Sequence, residues 1–229
     1  MRVRRVHRWD VSPAEAVEIQ KRLAPAAVAE DRFDPCSVTS VAGVDVSYSK
    51  GDRRFFACVV VAAFPGMEVL EARYAAGEAA FPYVPGLLVF REGPTVTKVL
   101  EAVEREPDVI VFDGHGVSHP RGIGIATHMG ILLGKPTIGC AKRKLVGEYE
   151  EPPRAEGAAA PLTWRGREVG TALRTRAGAA PVFVSAGHMI SLSTAARLVM
   201  ESVRGRRLPE PTRLAHVYSN RFRRGERIL

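Results

Sequence analysis

Apolar and polar residues alternate from Ser40 to Tyr48, with Ala42, Val44, Val46 and Tyr48 on one side and Gly43, Asp45 and Ser47 on the other. That period of two is the mark of a β-strand. Phe55–Phe64 and Val69–Ala75 read as two further strands, reached through turns at Lys50-Gly51-Asp52 and Pro65-Gly66. Connections this short imply an antiparallel meander. Upstream, Ser12-Pro13-Ala14-Glu15 forms a capping box with proline at the first helical position, and Ala16, Ile19 and Leu23 give that helix one apolar face.

The pattern changes after Pro85. Pro94 is expected to open a helix on which Val96, Val99, Leu100 and Val103 keep the 3.6-residue period, so that Glu92 falls just before the helix. Val109–Phe112 is a short, wholly apolar strand ending at Asp113, of the kind that parallel sheets bury on both faces. A Gly-rich loop, a helix around Ala126–Leu133 and the strand Thr137–Ala141 follow. Arg154–Pro161 reads as a loop, Leu162–Thr175 as a hairpin and Val182–Ala186 as a strand. Leu192, Ala195, Ala196, Val199 and Val203 mark a helix stopped near Gly205, and Pro211–Arg221 forms the last. Three antiparallel strands followed by parallel strands alternating with helices make an α/β mixed sheet flanked by helices. This order is that of the ribonuclease H-like fold, and a fold alone assigns no reaction. The 229 residues contain no repeat and suit one domain, 1–229, with a basic tail from about 222.

Composition narrows the partner. An apolar content of 46% excludes a disordered or fibrous chain, and the net charge of +8 suits a polyanion whose phosphates release counterions when neutralised. A protein that is merely basic carries the same charge, so composition alone does not decide. Cys36, Cys58 and Cys140 have no metal-binding spacing, and two of them lie within apolar runs, as free thiols do in a reducing cytoplasm. The N-terminal MRVRRVHRWD lacks a signal peptide's apolar stretch, and the longest apolar run, Ala57–Phe64, is too short to span a bilayer. The expectation is a cytoplasmic protein with no membrane association and no obligate protein partner.

Asp45 lies within an apolar strand, where an unpaired charge costs several kcal/mol and calls for a cation or hydrogen bonds. Asp113 ends a parallel strand, at the edge where open α/β sheets bind ligands. Taken singly, Asp45, Glu92 and Asp113 each have an ordinary reading as a turn, capping or solvated acid. If the first strand lies beside Val109–Phe112, Asp45 and Asp113 converge, and an oxygen-rich set of this kind favours Mg²⁺, with Mn²⁺ as a substitute, over zinc. His115, His119 and His128 match no zinc spacing, Gly122-Ile123-Gly124 follows no strand, and Ser185 with His188 lacks a hydrolase elbow. In Pro82-Tyr83-Val84-Pro85-Gly86 two prolines stiffen the backbone around an aromatic residue, which is either a base-stack wedge or a loop anchor. Basic residues gather at Lys142-Arg143-Lys144, Arg204–Arg207 and Arg221–Arg227, and the first group follows a strand from which Lys142 can reach a phosphate.

These segments resemble the signatures of the endonuclease V family. They are Gly43-Val44-Asp45-Val46-Ser47-Tyr48, the stretch from Pro82 to Glu92, Asp113-Gly114-His115-Gly116, Gly139-Cys140-Ala141-Lys142, Val184-Ser185-Ala186-Gly187-His188 and Leu208-Pro209-Glu210-Pro211-Thr212-Arg213. They follow the family's order from about Trp9 to His216, with Ala186 standing where the family has proline. The resemblance implies a ribonuclease H-like nuclease that acts in DNA repair on deoxyinosine, the product of adenine deamination. It hydrolyses the second phosphodiester bond 3′ to the lesion, leaving 5′-phosphate and 3′-hydroxyl ends. Carried over by motif, Asp45, Glu92 and Asp113 hold Mg²⁺, Lys142 contacts the phosphate region, and His216 supports the metal ligands or the attacking water. Tyr83 is the wedge, within the base-contacting segment that includes Gly86. Leu88, Gly114, Gly124 and Ile125 line the base pocket, which His119 helps to shape. The partner so implied is deoxyinosine-containing DNA, double- or single-stranded, with inosine-containing RNA as an alternative substrate. Two other readings differ in kind: a structure-specific nuclease of the same fold, indifferent to inosine, and a non-catalytic inosine-binding protein, which would not need the three acids.

Overall fold

A computed structural model of the chain describes residues 1–49 and 53–228; the turn expected at Lys50-Gly51-Asp52 lies outside them. One eight-stranded sheet carries the architecture, in the order β3-β2-β1-β4-β5-β8-β7-β6. Its first three strands, β1 (Ser40–Tyr48), β2 (Arg54–Ala63) and β3 (Val69–Glu78), form the expected antiparallel meander. β4 (Val109–Phe112) and β5 (Thr137–Ala141) continue in parallel beside β1. β6 (Ala159–Trp164), β7 (Arg167–Leu173) and β8 (Val182–His188) complete the sheet, β8 pairing antiparallel with β5, β7 with β8 and β6 with β7. β8 is buried along its whole length although it runs antiparallel. Helices covering both faces, rather than strand direction, account for that burial.

Among the described residues five α-helices flank the sheet: α1 (Pro13–Leu23), α2 (Leu88–Glu101), α3 (Ile125–Leu133), α4 (Leu192–Glu201) and α5 (Glu210–Arg223). The capping box of α1 is formed, with Ser12 and Glu15 exchanging bonds to each other's backbone. On one face Ala42 and Val44 of β1 pack with Ile110 and Phe112 against Phe90, Val96 and Leu100 of α2 and Met129 of α3. On the other face, Val41, Val109, Val111 and Ile138 pack against Ala195, Leu198 and Val199 of α4, while Cys58 and Val60 meet Ala215 and Tyr218 of α5. Alternate residues of one strand therefore serve two separate cores. Among the described residues no helix is long and apolar enough to cross a membrane.

Three expectations shift. Pro94 does not open α2 but lies inside it, so Glu92 sits within the helix rather than before it. Proline costs the helix one backbone bond there. The buried face from Val89 to Leu100 holds the helix together across it, and Gly93 admits the Trp9 ring, which a Cβ would meet at 2.5 Å. The hairpin starts at Ala159, inside the stretch expected as a loop, because ladder pairs such as Ala160 with Ala172 outweigh its Ala/Pro composition. Finally, α5 runs to Arg223, since Phe222 packs on Phe56 and Tyr74; the part beyond the helix is correspondingly shorter than a tail from 222.

Candidate active site

The register of β1 on β4 sets Val41 opposite Val109 and Val44 opposite Phe112. One step further along, Asp45 faces Asp113, whose N–H donates to the Val44 carbonyl at 3.1 Å. Both side chains lie on the face covered by α5, because odd-numbered residues of both strands point that way. From the end of neighbouring β5, the Lys142 ammonium donates to Asp113 Oδ2 at 2.5 Å.

α5 closes over this group from above. At Gly43 an added Cβ would stand 2.2 Å from the backbone of Pro211 and Thr212, so the helix rests directly on the strand and only glycine permits it. That approach brings His216 Nδ1 to 3.1 Å from Asp45 Oδ2 and lets Ser219 Oγ donate to the same oxygen at 2.9 Å. Ser47 Oγ donates to the Ser219 carbonyl at 2.8 Å, which fixes the helix a second time. Ser219 escaped the sequence reading, yet it lies three residues after His216, on the same helix face.

Glu92 approaches from α2 and is 8% exposed. Burial, then the charges of Asp45 and Asp113, pushes its carboxyl up to about 8. Burial and Asp45 also raise Asp113, against the pull of Lys142. The bond to Asp45 raises His216 in turn. Ligand atoms of Asp45, Asp113 and His216 lie within 4.8 Å of one another, a spacing able to hold a metal ion. Two buried carboxylates, Asp45 and Glu92, and the half-buried Asp113 repel one another, and with oxygen donors in the majority they fit a hard divalent cation. His115, His119 and His128, by contrast, do not converge: their ring nitrogens engage the Arg143 carbonyl, the Gly86 carbonyl and His7 respectively. Ser185 and His188 also serve the framework, Ser185 Oγ accepting from Gly116 N and His188 Nδ1 from Val28 N.

Between the loop leaving Asp113 and the start of α2, which carries Glu92, opens a pocket of about 220 Å³, lined among others by Tyr83, Gly86, Leu88, His119, Gly124 and Ile125. Tyr83 is 67% exposed at its mouth, which separates it from a buried loop anchor. Gly114 lies behind Ile125, where a Cβ would meet Ile125 Cγ2 at 2.6 Å, so its bareness lets Ile125 reach the wall. Gly124 stacks on the preceding loop, with the His115 carbonyl oxygen 2.2 Å from where its Cβ would be. The Ala186 carbonyl accepts from Val117 N at 2.8 Å, so this residue holds the 113–124 loop through its backbone. The basic clusters divide. Arg207 bonds the carbonyls of Lys142 and Pro181 and braces the backbone beside the site, whereas Arg204 bonds that of Pro65 in the turn between β2 and β3, at the far end of β1.

The sequence model of the endonuclease V family matches residues 21–217. An endonuclease V of Methanothrix thermoacetophila is 49% identical over 219 residues, covering 96% of each chain. Among solved structures, the endonuclease V of Streptomyces avermitilis superposes with a TM-score of 0.90 at 40% identity, covering 98% of this chain and 99% of that one. An endonuclease V of Ciona intestinalis, solved with a 24mer DNA containing an inosine followed by a ribo-adenosine, superposes with a TM-score of 0.81 at 28% identity, covering 93% of this chain and 98% of its own.

Proposed function

This chain belongs to the endonuclease V family, and from that premise we propose that it is a Mg²⁺-dependent endonuclease that recognises deoxyinosine in DNA and hydrolyses the second phosphodiester bond on its 3′ side. The observation that carries the reading is that the loop leaving Asp113 and the turn of α2 preceding Glu92 also line the pocket behind Tyr83. Asp45, Glu92 and Asp113 are the residues that would hold Mg²⁺, with Mn²⁺ able to replace it. When bound, such an ion activates water and neutralises charge on the leaving 3′ oxygen.

The chain's own groups supply the rest. Lys142, paired with Asp113, offers its ammonium to the phosphate. His216, held to Asp45 through Nδ1, keeps Nε2 for a water or a phosphate oxygen. Tyr83, exposed between two prolines, fills the stack that the expelled base leaves, and the pocket of about 220 Å³ receives that base. This volume lies below the roughly 300–1,000 Å³ of drug-sized ligand sites, as suits one flat base. The cut leaves a 3′-hydroxyl upstream and a 5′-phosphate downstream, a product suited to DNA repair.

The test is strand cleavage on matched duplexes with and without one deoxyinosine, in Mg²⁺ or EDTA. Metal-dependent cutting confined to the inosine strand and mapped to the second 3′ bond is the expected result. Equal cutting of both duplexes overturns lesion recognition, and cutting that survives EDTA overturns the role of the acids. A second reading, inosine-containing RNA as substrate, draws on the Ciona intestinalis complex, whose strand carries a ribo-adenosine after the inosine. The same assay on RNA decides between them.

A further inference from the structure

We infer that Gln20 is a positioning residue for the segment that carries Tyr83: through Arg121 and the Gly86 carbonyl it fixes the wedge to α1. The role in recognition rests on the wedge reading above; the clamp itself stands on geometry alone.

Gln20 is 1% exposed although it lies on a helix whose other side chains largely face water. Burying a primary amide is costly unless its donors and acceptor are all used. They are: Nε2 donates to the carbonyls of Gly86 at 3.1 Å and Ile123 at 3.3 Å, while Oε1 accepts from Arg121 Nε at 2.5 Å. Arg121 Nη2 then donates to the Gly86 carbonyl at 2.7 Å, and His119 Nε2 reaches the same oxygen at 2.9 Å. His119 Nδ1 accepts from Arg121 N at 3.2 Å, so the proton resides on Nε2 and that ring is a donor to Gly86. Three donors thus converge on one carbonyl oxygen that has two lone pairs, and one of them is a full cation.

Gly86 is where such a clamp has leverage. It ends Pro82-Tyr83-Val84-Pro85-Gly86, and its φ of +77° is a conformation other residues rarely adopt. A Cβ there would also stand 2.8 Å from Arg121 Nη2, so glycine makes room for the guanidinium. At the opposite end, Arg91 Nη1 donates to the Phe81 carbonyl at 2.9 Å. The proline-stiffened segment is therefore bracketed by two arginine–carbonyl bonds, and Gln20 orients the one at Gly86. With both ends held, the exposed ring of Tyr83 has a fixed base without a packed environment of its own. Of the two amide side chains in the sequence, Gln20 and Asn220, this one is committed to that task.

The test measures hydrogen–deuterium exchange in the free full-length protein and cleavage side by side, for wild type, Gln20→Leu and Gln20→Glu. Glu keeps the bond from Arg121 but loses both donors; Leu loses all three bonds and keeps the volume. In both variants the amides of Tyr83, Val84, Gly86 and Leu87 are expected to exchange about tenfold faster, the factor that ~1.4 kcal/mol represents, while those of α5 are unchanged. The single-turnover preference for deoxyinosine over undamaged duplex should drop severalfold. That loss should fall in the enzyme concentration giving half-maximal rate, with the limiting rate retained. A 2-aminopurine placed beside the deoxyinosine should report less unstacking. Unchanged exchange at 83–87 in either folded variant overturns the clamp whatever the protein cuts, and exchange rising equally throughout the chain reduces Gln20 to a stability role. Faster local exchange with unaltered preference overturns its part in recognition. A wild type indifferent to deoxyinosine defeats the proposed function instead, leaving the clamp to be judged by exchange.

Discussion

Asp45, Asp113 and Lys142 are delivered by three neighbouring parallel strands, whereas Tyr83, Gly86, His119 and Gly124 come from loops and helix entrances. Sheet register places the first group: Asp45 and Asp113 follow the Val44–Phe112 rung, and Lys142 leaves the end of β5 beside them. Side-chain bonds to backbone carbonyls place the second, with Gly86 as their focus. A ladder distributes its hold over many backbone bonds, so no single side chain outside the acids governs the carboxylate geometry. A clamped loop concentrates its hold in a few groups, which makes it adjustable and easy to break. Charge follows the same division. The strand-borne site gathers carboxylates, while His119, in the loop region, and His128 of α3 are held neutral by burial, His119 pushed down to about 4 and His128 to about 3.

The sharpest test of this division is Asp45→Asn, which keeps the acceptor for Ser219 but removes the charge. Cutting is expected to fall at least about a hundredfold on every substrate. The melting temperature should hold or rise, because a repelling buried charge is gone; a fall of many degrees would make Asp45 structural. Gly43→Ala probes the strand side without touching an acid. Its Cβ must push α5 away, at a cost of roughly 1–3 kcal/mol, and cutting should drop on all substrates together. Calorimetry alongside single-turnover rates separates the two effects, and an unchanged melting temperature would contradict the contact described. Tyr83→Ala probes the loop side and should leave stability within about 0.5 kcal/mol, since the ring is 67% exposed. Selectivity for deoxyinosine should weaken by about tenfold, in keeping with ~1–3 kcal/mol per stacked base, at an unaltered limiting rate. Equal selectivity in this variant removes the wedge.

Acidification gives the smallest effect. His128 faces His7, Trp9 and Phe90, and its Nε2 donates to His7, whose own Nδ1 proton goes to the Arg8 carbonyl. His119 faces Arg121 and Gly86. Both rings resist protonation in the fold, so the unfolded chain binds more protons below about pH 6.5. The stability they provide is complete above that pH and is lost as pH falls toward their folded values. About 1 kcal/mol per histidine should disappear between pH 7 and 5.5, against an opposite gain from Glu92, whose carboxyl is raised to about 8. Melting wild type beside His128→Met isolates the histidine: on acidification the variant should fall less, or rise more, than wild type, and an identical pH dependence would locate the titration elsewhere.

Sequence reasoning succeeded where structure follows local period. The bounds of β1, β4 and β5 match the expected ones because alternation and short apolar runs state a strand directly. Asp45 stood on one of those strands and Asp113 and Lys142 at the ends of the other two, so the convergence of Asp45 and Asp113 followed from one assumed pairing. The start of α2 was not legible, because Pro94 resembles a helix opening while the turn before it is kept helical by burial of Val89, Phe90 and Glu92. Gln20, Arg121 and Ser219 were not legible for a different reason. Gln20 bonds Gly86 across 66 positions and Arg121 across 101, and Ser219 reaches Asp45 across 174. Such partners exist only once the chain has folded, and no local period announces them.

The seating of α5 on Gly43 also bears on how the molecule comes into being. Synthesis runs from the N-terminus, so residues 210–223 leave the ribosome after every strand of the sheet has emerged. Until they do, the face of β1 bearing Asp45 has neither His216 nor Ser219 upon it. The nascent protein thus carries its acids early and acquires their companions last. A cutting centre of this design is complete only once α5 has docked on the sheet.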